Sequence, residues 1–359
     1  MKILVVAGPS GGHIFPALSF LDTLKEKYKH IEALLILPRK IMIDKACILE
    51  NKVKYISSSS ITLSINFRNL LSILKFFKGS LESIFILLEF KPDIVMGFGG
   101  LVSIPMVMFA YLFRLKTLIH EQNVIPGRAN RFLSRFADRI AISFSRTKDY
   151  FKDYSEKIVL TGNPLRKELV RIDKNKALDF FGFSNDKLTV LVMGGSQGSY
   201  SINMGFFRTV SALSNKGSLQ IIHLTGEKDY DLLKPKYKEL NIGVRLFNFL
   251  NSMEYAYSAC DIVLSRAGAT TVTEIIYFKL PAIIVPYVYA HKHQMENAKV
   301  LENIGSAIVI QDDKLDMLKV IMEDFINNPD RIKEMVSRYD NIPRPNVNNL
   351  LLDAALSFN

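Results

Sequence analysis

The chain has 359 residues, of which 48% are hydrophobic and 23% are charged. That length and composition predict two folded domains with large cores and exclude a disordered, collagenous or coiled-coil protein. The net charge of +11 lies almost wholly in one half. Residues 1–165 hold 23 basic and 13 acidic side chains, whereas residues 166–359 hold 23 and 22. Compositional drift would load both halves alike, so the asymmetry favours an anionic partner for the first half.

Neither disulfides nor a membrane span are expected. The two cysteines, Cys47 and Cys260, are too few for a disulfide framework, and Gly8 and Pro9 precede any apolar region typical of a signal peptide. No segment reaches the roughly 18 consecutive apolar residues that a spanning helix requires. The cytoplasm is therefore the expected compartment. A nucleic-acid partner is not expected, because no reader motif or basic aromatic repeat accompanies the charge.

Each half of the chain opens with the same predicted order of strand, glycine loop and helix. An apolar strand over residues 2–7 leads into Gly8-Pro9-Ser10-Gly11-Gly12-His13, and apolar residues then recur at helical spacing from Phe15 to Tyr28. The order returns with a strand at Leu188–Met193, the loop Gly194–Gly198 and a helix from about Ser201. Further buried strands are predicted at Ala33–Leu37, Ile94–Met96, Thr117–His120, Arg139–Ser143, Ile158–Thr161, Leu219–Leu224, Ile262–Ser265 and Ala282–Val285.

Strands that alternate with helices predict an α/β protein with two doubly wound, Rossmann-like domains and parallel sheets. The join is expected near Thr161-Gly162-Asn163-Pro164, where a strand ends in turn residues. Ligands of such sheets bind beyond the carboxyl ends of the strands, so the cleft between the domains is the expected site.

Either glycine loop could hold a phosphate, because backbone N–H groups and the helix dipole favour an anion there; tight turns needed for packing alone are the alternative. The first loop lacks the G-x-G-x-x-G pattern of dinucleotide binding, although Arg39 keeps an NADP interpretation open. No Walker loop is present. The chain has no Cys and His cluster at zinc spacing, and Asp229-Tyr230-Asp231 is interpreted as a solvated helix start rather than a metal site. No cofactor or metal is expected.

Seven motifs, in order over roughly residues 4–310, resemble those of the MurG family, the N-acetylglucosaminyltransferases of peptidoglycan lipid-intermediate synthesis. The motifs are Ser10–Ala17, Gly97–Ser103, His120–Asn123, Thr161–Arg166, Gly194–Gly198, Arg266–Glu274 and His293-Gln294. The resemblance implies a GT-B fold with an interdomain cleft. It also implies metal-free, inverting transfer of N-acetylglucosamine from UDP-N-acetylglucosamine to the C4 hydroxyl of lipid I, the muramoyl-pentapeptide on undecaprenyl diphosphate.

The resemblance also implies that the two domains have separate functions. Residues 1–163 would form the acceptor and membrane side, and residues 164–340 the donor domain. Residues 341–359 would form a helix that returns to the first domain. The protein would act at the cytoplasmic face of the inner membrane, with an anionic membrane surface as a partner. Many retaining enzymes of this fold carry two glutamates separated by seven residues. Here the residue eight positions after Glu274 is Ala282, which agrees with inversion.

Donor contacts are inferred by matching the family motifs residue by residue. Glu274 would accept hydrogen bonds from the ribose, with a surface glutamate as the alternative. The diphosphate would bind Ser196 and the helix start at Ala269, Thr270, Thr271, Val272 and Thr273. The backbone of Leu250 would read uracil, and Gln294 and Asn123 would bind the sugar. Arg166 would lie near the donor or form a linker salt bridge.

His13 is the predicted general base, because a neutral imidazole at a helix N-terminus can take up the proton of the acceptor hydroxyl. The alternative is that His13 caps the helix or binds phosphate, and Glu121 is the reserve candidate or the group that orients the base. Ser10, Gly11 and Gly12 would belong to the binding site of UDP-N-acetylglucosamine. The family usually has G-T-G-G-H here, so Pro9, which lacks an N–H, leaves the details of this loop less determined.

The stretch Phe67–Lys78 mixes apolar residues with three cations and is predicted to contact the membrane; packing on its own sheet is the alternative.

Two rival functions stay open. One is transfer to another lipid acceptor such as a diacylglycerol, and the other is an inert UDP-sugar-binding protein, which would be expected to lack His13, Glu274 or Gln294.

Overall fold

The computed structural model describes residues 1–42, 48–58, 67–195, 197–287, 291–340, 342 and 347–358. Two compact units divide the chain. The first comprises Met1–Lys167 and Pro345–Asn359, and the second comprises Glu168–Arg344. These limits differ by about four residues from the domain limits expected at 163 and 340.

The first unit contains a seven-stranded parallel sheet of order β3-β2-β1-β4-β5-β6-β7. Its strands are β1 (Lys2–Val6), β2 (Glu32–Pro38), β3 (Val53–Ile56), β4 (Ile94–Gly97), β5 (Lys116–Glu121), β6 (Arg139–Ile142) and β7 (Ile158–Leu160). Its helices are α1 (Gly11–Lys27), α2 (Phe67–Phe90), α3 (Ser103–Leu112), α4 (Arg128–Leu133) and, from the end of the chain, α13 (Val347–Leu356).

The second unit contains a six-stranded parallel sheet of order β10-β9-β8-β11-β12-β13. Its strands are β8 (Leu188–Met193), β9 (Leu219–Leu224), β10 (Gly243–Phe247), β11 (Ile262–Ser265), β12 (Ala282–Ile284) and β13 (Ala307–Val309). Its helices are α5 (Lys174–Phe181), α6 (Tyr200–Ala212), α7 (Glu227–Lys238), α8 (Met253–Ala259), α9 (Ala269–Phe278), α10 (His291–Glu302), α11 (Met317–Asn327) and α12 (Pro329–Ser337).

The two doubly wound α/β sheets confirm the predicted fold class. Residues of β1 show why the sheet is covered on both faces: Ile3 and Val5 belong to a core with Ala17 of α1, whereas Leu4 and Val6 belong to a separate core with Met106 of α3. A strand buried on both faces has a nearly continuous run of apolar residues, and this run allowed such strands to be predicted from the sequence.

Three strands escaped the sequence analysis, and all three lie at sheet edges: β3, β10 and β13. Edge strands keep one side open to solvent and therefore tolerate charges, such as Lys54 in β3 and Arg245 in β10. The first helix also begins earlier than predicted. It starts at Gly11 because the backbone N–H groups of His13 and Ile14 donate to the carbonyl of Ser10, which places His13 in the first helical turn.

The C-terminal helix packs on the first unit. Leu351 and Leu352 are fully buried in the core that contains α1, and burying each such side chain contributes about 1.5–3 kcal/mol. Arg139 at the start of β6 donates to the carbonyls of Ala354 and Ser357 at 2.6 and 2.7 Å. These contacts attach the last residues of the chain to the unit that contains its first residues.

Within the described ranges, none of the helices has the length and apolar character needed to cross a bilayer.

Candidate active site

The carboxyl ends of three adjacent strands in the first unit carry predicted site residues. The first glycine loop follows β1, Phe98-Gly99-Gly100 follows β4, and Gln122-Asn123 follows β5. Since β1, β4 and β5 are neighbours in the parallel sheet, these segments meet at one edge. The sheet order thus gathers motifs that are about 110 residues apart in the chain.

The ring of His13 lies between two glycines. A Cβ on Gly8 would lie 2.6 Å from Nδ1 of His13, and a Cβ on Gly99 would lie 3.2 Å from Nε2. Gly99 and Gly100 have φ values of +88° and +82°, and a Cβ on Gly100 would lie 2.6 Å from Cα of Gly8. Larger residues would therefore displace either the imidazole or the backbone beside it.

His13 is neutral at physiological pH. Its side chain is partly buried, and burial lowers the pKa of His13 to about 4. Nδ1 lies 3.0 Å from Oγ of Ser10, whereas Nε2 has no hydrogen-bond partner among the residues that the structure describes. The neutral state expected from the helix N-terminus is thus favoured by desolvation. If Nδ1 carries the proton and donates to Ser10, the lone pair of Nε2 is available to accept one.

Glu121 is the centre of a saturated hydrogen-bond network. Its Oε1 accepts from the backbone N–H and the side-chain Nδ2 of Asn123, at 2.9 and 3.2 Å. Its Oε2 accepts from the N–H of Gly127 at 3.0 Å and from Nδ2 of Asn130 at 2.8 Å. Burial raises the pKa of Glu121, and these donors oppose that rise. The carboxylate is only 1% exposed and fixes the loop after β5.

His120 and Gln122 extend this network, and the sequence analysis assigned neither of them a role. Nε2 of His120 lies 3.0 Å from the carbonyl of Gly162, and Nδ1 lies 3.2 Å from the amide nitrogen of Gln122. That amide also donates to the carbonyl of Phe98 at 3.2 Å. Burial lowers the pKa of His120 to about 4, so it is neutral. A polar residue at the end of an apolar strand was the available signal for this role.

Arg166 belongs to the first unit. Its guanidinium lies over the ring of Phe15, 5.3 Å from the ring centroid. The domain limit expected at residue 163 placed it in the donor domain, whereas the first unit extends to Lys167.

In the second unit, the glycine loop after β8 packs against the turn that follows β9. Gly198 has φ +73°, and a Cβ there would lie 2.1 Å from the carbonyl oxygen of Thr225. Gly226 has φ +76°, and a Cβ there would lie 2.8 Å from Cα of Gly198. The backbones of the two segments are in direct contact, so glycine is required at both positions. Ser196 of this loop lies outside the described residues.

Arg266, after β11, joins three segments at the same edge. Its Nη2 donates to the hydroxyls of Ser199 and Ser201 at 2.7 and 2.8 Å, and its Nη1 donates to Asp312 at 2.7 Å and to the carbonyl of Val285 at 3.1 Å. The side chain is 7% exposed. This buried guanidinium holds the second glycine loop beside the ends of β11 and β12.

Gln294 of α10 connects to the same turn. Its Oε1 accepts from the backbone N–H of Ala267 at 3.2 Å and from that of Tyr287 at 2.9 Å. Asn297, one turn later, donates to the carbonyl of Ala267 at 3.1 Å. Gln294 thus lies directly beside the start of α9.

Helix α9 begins at Ala269, and the predicted diphosphate residues occupy its first turns. Thr270 and Thr271 are partly exposed, Val272 is fully buried, and the hydroxyl of Thr273 donates to the carbonyl of Ala269 at 2.9 Å. Val272 therefore contributes packing and backbone rather than an accessible side chain.

The carboxylate of Glu274 is 7% exposed and is held from the side by Tyr257. The Tyr257 hydroxyl donates to Oε2 of Glu274 at 2.7 Å and lies 3.7 Å from Sδ of Met193, the last residue of β8. Tyr257 also stacks on Phe278, with ring centroids 5.0 Å apart. Leu250 lies after β10 and is 9% exposed. The sequence analysis did not assign Tyr257 a role, and no local pattern distinguishes it.

Comparisons with known proteins agree with this arrangement. The sequence model of the glycosyltransferase family 28 N-terminal domain matches residues 3–142, and that of the C-terminal domain matches residues 189–344. A relative from Halothermothrix orenii is 35% identical over 365 aligned positions that cover 98% of both chains. One from Listeria welshimeri is 36% identical over 368 positions that cover 99% of both. Both are named UDP-N-acetylglucosamine--N-acetylmuramyl-(pentapeptide) pyrophosphoryl-undecaprenol N-acetylglucosamine transferase.

The chain belongs to this MurG family. The crystal structure of MurG from Acinetobacter baumannii superposes with a TM-score of 0.77 at 25% identity, covering 99% of both chains. The resemblance read from the motifs is therefore confirmed, as are the GT-B fold and the assignment as a glycosyltransferase. Within the described part of the chain, no group of three or more His, Cys, Asp and Glu side chains is arranged to hold a metal ion.

Proposed function

We propose that this protein transfers N-acetylglucosamine from UDP-N-acetylglucosamine to the C4 hydroxyl of the muramoyl sugar of undecaprenyl-diphospho-muramoylpentapeptide, with inversion at the anomeric carbon. The observation that carries the proposal is the sequence identity of 35%, over 98% of the chain, to a relative named for this transfer. The chain also keeps His13, Glu274 and Gln294, which an inert UDP-sugar-binding protein would not need together.

The second unit is proposed to bind the donor nucleotide. Glu274 accepts hydrogen bonds from the ribose hydroxyls, and Tyr257 fixes the direction of its carboxylate. The diphosphate lies at the start of α9, where the N–H groups of the first helical turn and the helix dipole favour an anion. Arg266 lies behind the neighbouring glycine loop and holds it in place through the hydroxyls of Ser199 and Ser201. Gln294 contacts the donor sugar.

His13 is proposed to be the general base. The C4 hydroxyl of the acceptor attacks the anomeric carbon and its proton passes to Nε2 of His13, while the bond to the diphosphate breaks and UDP takes the electron pair. The lowered pKa keeps His13 neutral before this step, and in the tautomer whose Nδ1–H donates to Ser10 the lone pair of Nε2 can take up the proton. Because the hydrogen bonds to both carboxylate oxygens of Glu121 come from N–H donors, its role is to position Asn123 and the loop after β5. Direct contacts of Asn123 and Arg166 with the donor sugar stay predictions.

Helix α2 is proposed to contact the anionic cytoplasmic surface of the membrane. Its exposed apolar side chains follow helical spacing along one face: Leu74, Phe77, Leu81, Phe85 and Leu88. The exposed lysines 75 and 78 lie on the same helix.

The opposite side of α2 packs on the first unit, where Ile86 and Leu87 are buried. Packing on its own sheet, the alternative interpretation, therefore describes the buried side of the helix, and the proposed membrane contact concerns its exposed side. Residues 59–66 and the side chains of residues 67–71 lie outside the described residues. Insertion of two phenylalanines at about 1.5–3 kcal/mol each and about 1 kcal/mol per lysine suffices for reversible attachment.

The function is tested with purified protein, labelled UDP-N-acetylglucosamine and a short-chain analogue of the lipid acceptor, in the presence of EDTA. Transfer to the muramoyl C4 hydroxyl with an inverted, β-configured product is the expected result. Absence of transfer, with a diacylglycerol accepted instead, would refute the acceptor assignment. Donor binding without transfer to either acceptor would favour the inert binding protein.

Membrane contact is tested by sedimentation with vesicles. Binding to vesicles that contain anionic lipid should exceed binding to neutral vesicles and should fall as salt is raised. Phe77→Ser with Phe85→Ser should weaken it without changing turnover of the soluble acceptor analogue. Equal binding to neutral vesicles would contradict the electrostatic part of the proposal.

A further inference from the structure

A buried polar chain connects three elements behind the second glycine loop. It runs from Tyr237 of α7 through His223 of β9 to Asn203 of α6. The Tyr237 hydroxyl lies 2.8 Å from Nδ1 of His223, and Nε2 of His223 lies 3.1 Å from Oδ1 of Asn203. His223 and Asn203 are 0% exposed, and Tyr237 is 5% exposed.

The hydrogen bonds determine how this chain is oriented. Nδ2 of Asn203 donates to the carbonyl of Thr225 and to Oδ2 of Asp229, both at 2.8 Å, so Oδ1 of Asn203 faces His223 as an acceptor. Nε2 of His223 must then carry the proton, and Nδ1 accepts from the Tyr237 hydroxyl. Burial lowers the pKa of His223 to about 3, in keeping with this neutral tautomer. Every polar atom of the imidazole and of the Asn203 amide is used.

The chain ends at the atom against which the glycine loop packs. The carbonyl oxygen of Thr225 accepts from Asn203, and the same oxygen would lie 2.1 Å from a Cβ on Gly198. The position of the Thr225-Gly226 turn therefore sets the position of the loop backbone. Asn203 lies on the first turns of α6, directly after the loop, and so fixes the loop from its other end as well.

We infer that His223 and Tyr237 are positioning residues for the donor diphosphate: they hold Asn203, and through it the Thr225-Gly226 turn and the second glycine loop, in the geometry that binds UDP-N-acetylglucosamine. The inference rests on the proposed function. Asp229 belongs to the same device, because its carboxylate, in the first turn of α7, accepts from Asn203. The D-x-D segment is thus a helix start, as the sequence predicted, with a structural partner.

The test compares His223→Leu with a matched control on the same strand. Gln220 of β9 is also buried and bonded, but its amide pairs with Ser184 and Thr189 at the amino end of the sheet. Both variants lose buried hydrogen bonds, so both should lower the melting temperature. Only His223→Leu should raise the KM for UDP-N-acetylglucosamine and the Kd for UDP, by about tenfold, as displaced positioning groups do. The KM for the acceptor analogue should not change.

Rescue and a milder change complete the design. His223→Gln can donate to Asn203 from its amide nitrogen and accept from Tyr237 at its amide oxygen, and should restore the donor KM to within about threefold of wild type. Tyr237→Phe removes one hydroxyl and should raise the donor KM by about threefold, and it replaces His223→Leu where that variant does not fold.

An unchanged donor KM in both His223→Leu and Tyr237→Phe, or an equal rise in Gln220→Leu, would overturn the inference. Failure of the proposed function is distinct, since wild-type protein would then transfer no N-acetylglucosamine at all.

Discussion

Replacing Glu121 by glutamine separates a structural carboxylate from a catalytic one. The substitution keeps the size of the side chain and exchanges one oxygen for an NH2 group. Oε1 faces the backbone N–H of Asn123 and Oε2 faces that of Gly127. Whichever way the new amide turns, its NH2 therefore meets a backbone donor that cannot rotate away.

The expected cost follows from this geometry. One buried hydrogen bond to a charged acceptor is lost and two donors are left facing each other, which together destabilise the fold by about 2–4 kcal/mol. For a unit of about 180 residues, this lowers the melting temperature by roughly 5–15 °C. The side chains of Asn123 and Asn130 can turn their amides and recover part of the loss, but the backbone N–H cannot.

The assay is thermal unfolding together with turnover at 20 °C, with Glu82→Gln as the control. Glu82 also accepts a backbone N–H, that of Ser57, but its side chain is 22% exposed, so water can replace the lost contact and the expected change is below about 1 kcal/mol. A Glu121→Gln protein that melts like wild type but has lost turnover would refute the positioning role and restore Glu121 as a candidate base.

Three further outcomes are expected. His13→Ala should lower turnover by about 10²–10⁴-fold while leaving the Kd for UDP unchanged, since general bases contribute on that scale, and turnover equal to wild type would remove His13 as the base. Glu274→Ala should raise the Kd for UDP by at least about tenfold. Tyr257→Phe should raise this Kd only several-fold, because the tyrosine orients the carboxylate without binding the ribose. An unchanged Kd in Glu274→Ala would refute the ribose assignment. Unfolding in urea at pH 7 and pH 5 should show that His223→Gln makes stability less sensitive to acid. The unfolded His223, with a pKa near 6.5, binds a proton that the folded one, with a pKa of about 3, does not. This residue alone therefore lowers the stability of the wild type by about 1.4 kcal/mol per pH unit below 6.5, and the variant lacks that contribution while those of His13 and His120 remain.

The fold could be predicted to the extent that its strands are buried on both faces. Runs such as Leu188–Met193 are rich in branched apolar side chains and buried at almost every position, and glycine follows where the chain must turn into a helix. Two edge strands lacked this signature. One side of β3 borders solvent, and β13 is too short to show a pattern. The start of α1 was placed late because glycines are poor helix formers, and here the carbonyl of Ser10 receives two N–H groups that begin the helix regardless.

The candidate site divides in the same way. His13, Glu121 and Glu274 stood out because each belongs to a recognisable motif. Tyr257 and Asn130 did not, since their partners are 17 and 9 residues away and belong to other elements. His120 and His223 gave an intermediate signal: each is a polar residue near the carboxyl end of a buried strand, which indicates a buried hydrogen bond but not its partner.

By itself, the sequence determined the two doubly wound halves, the glycine turns and the family, because hydrophobic period, glycine and motif order are local properties of a chain. The tertiary structure decided what the polar side chains do. In the folded protein, the carboxylate of Glu121 accepts four hydrogen bonds. Tyr237, His223 and Asn203 form one hydrogen-bonded chain behind the glycine loop. Parallel strands bring their carboxyl ends to one edge however far apart they lie in sequence, and a buried polar atom must find its partner there.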